Sequence, residues 1–197
     1  IYTSPHIQKI NERFVYDNKP LNDDELANLL MEVEEINRGA PITFFEILSA
    51  YFFYHAKKYQ GNINLIEAGL FHRFDATNII KENLASIVTS IGLDHLDWLP
   101  KKEQTVEKII YEKTSSLLNS KIIIAKQSSN EINDFIENTI KKNSSKKLFY
   151  NKIYSFSFKE HNCYHFDDEF GRIKLPTPNI SGGFQFDNIS TAIATVR

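Results

Sequence analysis

The chain carries one cysteine, Cys163, in 197 residues. A lone thiol excludes an internal disulfide framework and fits a reducing compartment, so a cytoplasmic protein is expected. No apolar run reaches the roughly 18 residues that a membrane-spanning helix needs, and no membrane partner is expected. There is no basic excess either. Lys and Arg number 23 against 25 Asp and Glu, a formal net charge of -2, which argues against a general nucleic-acid binder. The opening, Ile1-Tyr-Thr-Ser-Pro-His6, lacks a Met and the charged start of a signal peptide. It reads as the middle of a loop, and the end, Ala192-Ile-Ala-Thr-Val-Arg197, stops inside a helical pattern. An internal piece of a longer protein is therefore expected. Finally, no G-x-x-x-x-G-K-[ST] phosphate loop occurs anywhere.

What is present is an ordinary globular composition, 42% hydrophobic and 24% charged, in a chain long enough for one domain with a full core. Asn22-Asp23-Asp24 is an N-cap cluster, and Leu26, Leu29, Leu30, Val33 and Ile36 follow at helical spacing. Gly39 and Pro41 end that helix. Residues 43–59 form a second helix, apolar almost all round and expected to be deeply buried. Gly61 and Asn62 turn the chain into a strand ending at Glu67, and a second strand runs over 85–92. A helix over 104–118, a strand over 121–125 and a helix over 130–141 complete an alternation that predicts a parallel sheet. Ile122-Ile123-Ile124 fits a strand covered on both faces. Residues 141–147 form a polar connector. Beyond it, period-two alternation at 154–158 and 162–166, a turn at Gly171 and Ile173-Lys-Leu175 predict a small antiparallel meander. A last helix begins around Asp187. The predicted class is α/β, one domain over 1–197, with a parallel part (1–147) and a meander with a final helix (148–197).

Candidate chemistry gathers where strands end, because α/β sheets bind ligands at the strands' carboxyl ends. The run Asn64-Leu-Ile-Glu67-Ala-Gly69-Leu-Phe-His-Arg73-Phe-Asp75-Ala-Thr77-Asn78 reads as a buried strand that stops at a carboxylate and opens into a polar turn. Burying Glu67 is costly unless it binds a cation or is well hydrogen-bonded, and both readings stand. His95, in Asp94-His95-Leu96-Asp97, is either a metal ligand or an ordinary loop histidine. Lys113 alone reads as a solvated lysine, and Ser4 as a loop hydroxyl stiffened by Pro5. His161, Cys163, His165 and Asp167 alternate and would share one strand face, but one strand cannot close a tetrahedron around zinc. The lysines of 141–147 are at most a weak phosphate-binding hint.

Several ordered motifs resemble one family. They are Tyr2-Thr-Ser4-Pro-His6, Asn11-Glu-Arg13, Thr43-Phe-Phe-Glu46, Glu67-x-Gly69-Leu, Arg73-Phe-Asp75-Ala-Thr77-Asn78, Thr89-Ser-Ile-Gly-Leu-Asp94-His95 and Glu112-Lys113. Together they look like folylpolyglutamate synthase/dihydrofolate synthase, of the Mur ligase superfamily. The likeness runs from Tyr2 to about Lys126 and returns at Gly183-Phe-Gln185-Phe-Asp-Asn188. It implies a Mur ligase central domain, P-loop NTPase-like, without its phosphate loop and C-terminal domain, as a monomer. It also implies ATP, L-glutamate and dihydropteroate or reduced folate as substrates, and two Mg2+.

By position, the resemblance gives Ser4 and Glu67 one magnesium, and His95 and Lys113 a second, with Lys113 carbamylated. An ammonium has no lone pair for a cation that wants hard oxygens, which is the chemical reason for that modification. Thr43, Phe44, Phe45, Glu46, Phe74, Asp75 and Ala76 would line the pterin pocket, and Asn188 would touch adenine. Glu67, His95 and Lys113 would be catalytic. The chain departs from the pattern at Phe71-His72, where the family has Gly-Gly, at Thr114-Ser-Ser, and at Phe184. The competing readings are a cell-wall Mur-type peptide ligase, a metal-dependent hydrolase with a carbamylated lysine, and a non-catalytic nucleotide-binding fragment.

Overall fold

The computed structural model describes residues 1–59, 61–159 and 163–197. Two compact units divide the chain, Ile1–Ile80 and Lys81–Arg197. The sequence reading draws its own division at 147.

The first unit begins with Tyr2 held between two neighbouring segments. Its N–H donates to Leu65 O at 2.8 Å and its O accepts from Glu67 N at 2.9 Å, while Val15 N reaches Ile1 O and Thr3 N reaches Arg13 O. Tyr2 thus bridges Phe14 on one side and Ile66 on the other. A short hairpin follows, β1 (Val15–Tyr16) paired with β2 (Lys19–Pro20). Helix α1 (Asp23–Asn37) opens with a capping box in which Asn22 and Glu25 exchange backbone and side-chain hydrogen bonds, both 2.9 Å.

Helix α2 (Phe44–Ala56) is capped in the same way by Thr43 and Glu46. It is not buried all round. Leu48, Ser49, Tyr51 and Phe52 are buried, Phe45, Ile47, Phe53, Tyr54 and Ala56 pack partly buried against the same core, and Phe44, Glu46 and Ala50 are exposed. The core joins Tyr2, Phe14, Tyr16, Leu48, Tyr51 and Phe52 to Leu21, Leu26, Leu29 and Val33. Its rings are in contact, Tyr2 with Phe52 at 5.1 Å and Phe14 with Tyr51 at 4.7 Å between centroids. Such pairs contribute about 0.5–1.5 kcal/mol each beyond the area they bury.

The second unit holds the parallel sheet: β3 (Ala85–Val88), α3 (Val106–Thr114), β4 (Lys121–Ile124), α4 (Asn130–Thr139) and β5 (Lys147–Phe149), in strand order β3-β4-β5. Strand β4 is central, and Ile122, Ile123 and Ile124 are fully buried on both of its faces. Thr105 and Ser129 cap the two crossover helices. An antiparallel meander follows, β6 (Ser155–Lys159), β7 (Cys163–Asp168) and β8 (Gly171–Leu175). Gly171, at φ 107°, takes the turn that an L side chain would resist. Helix α5 (Phe184–Val196) closes the unit and packs Ala194 into the cluster of Ile123, Leu148, Tyr154 and Phe166. Burial lifts the Tyr154 phenol to about 12, and its hydroxyl donates to Ile124 O.

Two expectations need correction. The strand ending at Glu67 is a single bridge, from Ile66 to Tyr2, and Ile63, Leu65 and Glu67 are exposed. Apolar letters there mark a partly solvated segment. Residues 141–147 are not all connector, because Lys147 opens the third parallel strand.

Candidate functional site

In the first unit, the arrangement around Tyr2 carries its neighbours into register. Ser4 lies two residues on, and its N–H donates to Glu67 Oε2 at 2.9 Å. The Ser4 backbone and the Glu67 carboxylate therefore meet on adjacent segments. The loop between them and Arg13 is shaped by Glu12, whose two oxygens accept from Ile7, Gln8 and Lys9 N at 2.8–3.1 Å. Those bonds hold the Glu12 carboxyl below its ordinary range.

The turn after Glu67 is organised by Asp75. Its Oδ2 accepts from Gly69 N (2.9 Å) and Leu70 N (3.3 Å), and its Oδ1 from Thr77 N (2.9 Å) and Thr77 Oγ1 (2.6 Å). Gly69 is needed for close approach. A methyl there would lie 2.7 Å from Phe45 Cε1 and Cζ and 3.0 Å from Asp75 Oδ2. Phe45 and Asp75 are thus brought together over Gly69. Phe44 and Phe74 are exposed, and Ala76 is half-buried. Thr43 and Glu46 are engaged with each other, Thr43 Oγ1 to Glu46 Oε2 at 2.7 Å, which lowers the Glu46 carboxyl. Their first task is capping α2. Burial also lowers the His72 imidazole, with the Asp75 charge opposing.

In the second unit, His95 sits in the left-handed region (φ 55°) after β3. Its N–H donates to Asp94 Oδ1 at 2.8 Å, and its Nε2 lies 3.2 Å from Asp94 Oδ2. Lys113 is half-buried in the last turn of α3, and desolvation lowers its ammonium while the Asp94 charge opposes. Asp94 contacts His95, and its charge also acts on Lys113, a role the sequence reading did not assign. Asn188 is exposed in α5, donating to Gln185 Oε1 at 3.2 Å, beside Asp187, which pairs with Lys126 at 3.3 Å.

Among the described residues, no cluster of three or more His, Cys, Asp or Glu could hold a metal. The donor set of Ser4 and Glu67 nevertheless fits magnesium, which typically takes one or two protein oxygens and completes its shell with water and phosphate. Of the alternating set in β7, Asp167 pairs with Arg172 at 2.7 Å, and His161 lies outside the described residues. Lys147 Nζ donates to Asn143 O, and Lys146 pairs with Glu169, so these lysines serve the turn.

No family model matches the chain. Dihydrofolate synthase/folylpolyglutamate synthase of Haemophilus influenzae is 34% identical over 113 residues, 57% of this chain and 25% of that protein. The structure of Escherichia coli FolC in complex with DHPP and ADP matches all of this chain at 27% identity and TM-score 0.84, over 45% of its own length. A bifunctional folylpolyglutamate synthase/dihydrofolate synthase from Yersinia pestis, complexed with AMPPNP and Mn, matches 99% of this chain at 25% identity and TM-score 0.82, over 45% of its own length.

These likenesses define the class: the α/β fold shared by ATP-dependent folate ligases. More narrowly, the chain is similar to part of the folylpolyglutamate synthase/dihydrofolate synthase proteins. It spans about a quarter of the curated relative and under half of the solved ones.

Proposed function

We propose that this chain is the central part of an ATP-dependent amide ligase that adds L-glutamate to dihydropteroate or a reduced folate. The observation that carries this reading is the Ser4–Glu67 contact, flanked by the Phe45–Gly69–Asp75 turn. In the reaction, the pterin substrate's carboxylate attacks the γ-phosphorus of ATP, giving an acyl phosphate and ADP. The glutamate amine then attacks the acyl carbon, phosphate leaves, the amine gives up a proton and an amide results. Bound magnesium would neutralise charge on the phosphoryl oxygens. The chain's own residues position: Ser4 and Glu67 offer oxygen donors, and the turn under Asp75 presents Phe45 and Phe74 to a flat ring.

The finer assignments extend the same reading. His95 and Lys113 belong to a second magnesium. Lys113 becomes a ligand after its neutral amine adds carbon dioxide, with loss of a proton, to form a carbamate. The burial that lowers Lys113 favours this by raising the share of neutral amine. Asn188 contacts adenine from α5. The working protein is a cytoplasmic monomer.

The test is glutamate-dependent ADP release by the full-length gene product that carries this chain. Glu67→Ala and Lys113→Ala should each abolish it. Undiminished turnover in either variant would show that the site is misassigned.

A further inference from the structure

The parallel ladder between β3 and β4 runs out at Ala125, whose N–H donates to Val88 O at 2.9 Å. One side chain carries the pairing further. Gln127 is buried, its Oε1 accepts from Ile91 N at 2.9 Å, and its Nε2 donates to Thr89 O at 3.1 Å. Donation to the carbonyl before Ser90 and acceptance from the N–H after it repeat one rung of a parallel ladder. The same Nε2 also donates to Ala125 O at 2.9 Å. Without Gln127, three backbone groups at this strand end would lose a partner, which is costly where they are buried.

The chain leaving this rung reaches His95 four residues beyond Ile91. Past His95 a second glutamine takes hold. Gln104 Nε2 donates to Leu96 O at 2.8 Å and to Leu99 O at 3.2 Å, at the two ends of the short helical turn Leu96–Trp98. That turn begins at His95, whose O accepts from Trp98 N at 3.1 Å. Two side-chain amides thus grip the loop before and after His95. His95 itself holds a left-handed backbone, at φ 55°, which persists in a residue other than glycine only when its surroundings fix it.

We propose that Gln127 and Gln104 are positioning residues for His95. They hold its loop at the carboxyl end of the parallel sheet, so that the imidazole is set in place before a ligand arrives. What His95 does there rests on the ligase reading above.

The full-length gene product carrying this chain, labelled with 13C at histidine Cε1, tests the proposal. The His95 signal is identified by its loss in His95→Ala. Gln127→Met keeps the length of the side chain without its hydrogen bonds, and Gln104→Met does the same on the far side. Each should shift or broaden the His95 signal, and amide exchange at Ile91 should quicken roughly 10-fold in Gln127→Met. Half-saturating magnesium for ADP release should rise roughly 10-fold in both, as for a lost partner behind a metal ligand. Asn143→Leu is the control. Asn143 is a side-chain amide of the same kind at the strands' amino ends, bonded to Leu117 O, Leu118 O and Ser145 N at 2.8–3.1 Å. Its loss should lower stability comparably and leave the His95 signal and the magnesium dependence unmoved.

An unmoved His95 signal in a folded glutamine variant would overturn that residue's role. Equal movement in Asn143→Leu would overturn both, since lost stability alone would then explain it. Gln104→Met decides the matter if Gln127→Met does not fold. A moved signal with unchanged magnesium dependence would uphold the positioning and refute the second-magnesium reading of His95. If the parent releases no ADP with pterin and glutamate, the ligase reading fails, and the histidine signal still decides the proposal.

Discussion

The Ser4 backbone N–H donates to Glu67 Oε2 at 2.9 Å, so one carboxylate fixes the loop that carries Ser4, and the proposed function gives it a second duty as a cation ligand. The two duties separate by substitution. Glu67→Gln keeps an oxygen to accept the Ser4 N–H but removes the charge. It should leave the melting temperature close to the parent's and reduce Mg-dependent ADP release on the order of 100-fold or more, since a bound divalent ion supplies several kcal/mol of charge stabilisation. Parallel thermal melts and steady-state assays check this. Full activity in Glu67→Gln would remove Glu67 from the chemistry.

Lys113 gives a second prediction. On the proposed function a carbamate forms from the neutral amine, so activity should fall in buffer stripped of carbon dioxide and return on adding bicarbonate. A 13C-carbonyl resonance should appear with labelled bicarbonate and be missing in Lys113→Ala. Activity indifferent to carbon dioxide, with no such resonance, would leave Lys113 as an unmodified half-buried cation.

The turn after Glu67 should be sensitive to volume. Gly69→Ala adds a methyl 2.7 Å from the Phe45 ring, and overpacking of this kind costs about 1–3 kcal/mol. Phe45 can yield only by leaving the contact over Asp75. Denaturant unfolding should show the loss, and pterin affinity should fall with it. Gly69→Ala together with Phe45→Leu should regain most of the stability but not the affinity. Recovery of both would mean the ring serves packing alone.

Acid should loosen the first unit. Both ring nitrogens of His55 are buried without a hydrogen-bond partner among the described residues, within a cluster of Tyr16, Tyr51 and Tyr59. Desolvation lowers its imidazole below the ordinary 6.5, Lys58 acts in the same direction, and Glu25 and Glu32 oppose. His72 is lowered as well. A depressed imidazole takes up its proton more readily in the unfolded chain. Stability is therefore flat above neutrality, declines as pH falls through about 6.5, and levels off below the folded-state value. His55→Phe should flatten part of that slope, measured by denaturant midpoints between neutral and mildly acidic pH. An unchanged slope would assign the effect elsewhere.

How much of this was legible in the sequence depended on whether the signal was local. The caps of α1 and α2, the buried Ile122-Ile123-Ile124 strand and the meander turning at Gly171 all follow from residues within a few positions of one another. The third parallel strand was hidden, because Lys147-Leu148-Phe149 follows a lysine-rich turn and is only three residues long. The Glu67 segment misled in the other direction, its apolar residues suggesting a buried strand where there is one bridge. At the site, motif order pointed to Ser4, Glu67, His95 and Lys113. The Asp94–His95 contact and the Asp75 carboxylate spent on its own turn are contacts that only folding creates.

The central claim is that Ser4, Glu67 and Lys113 serve an ATP-dependent ligation of glutamate to a pterin carboxylate. ADP release by the full-length gene product, followed with and without dihydropteroate or folate, glutamate and magnesium, tests it most directly. The expected result is release that requires magnesium, the pterin and glutamate together, and that disappears in Glu67→Ala. Release that proceeds without a pterin, or that a UDP-linked muramyl substrate supports in its place, would contradict it.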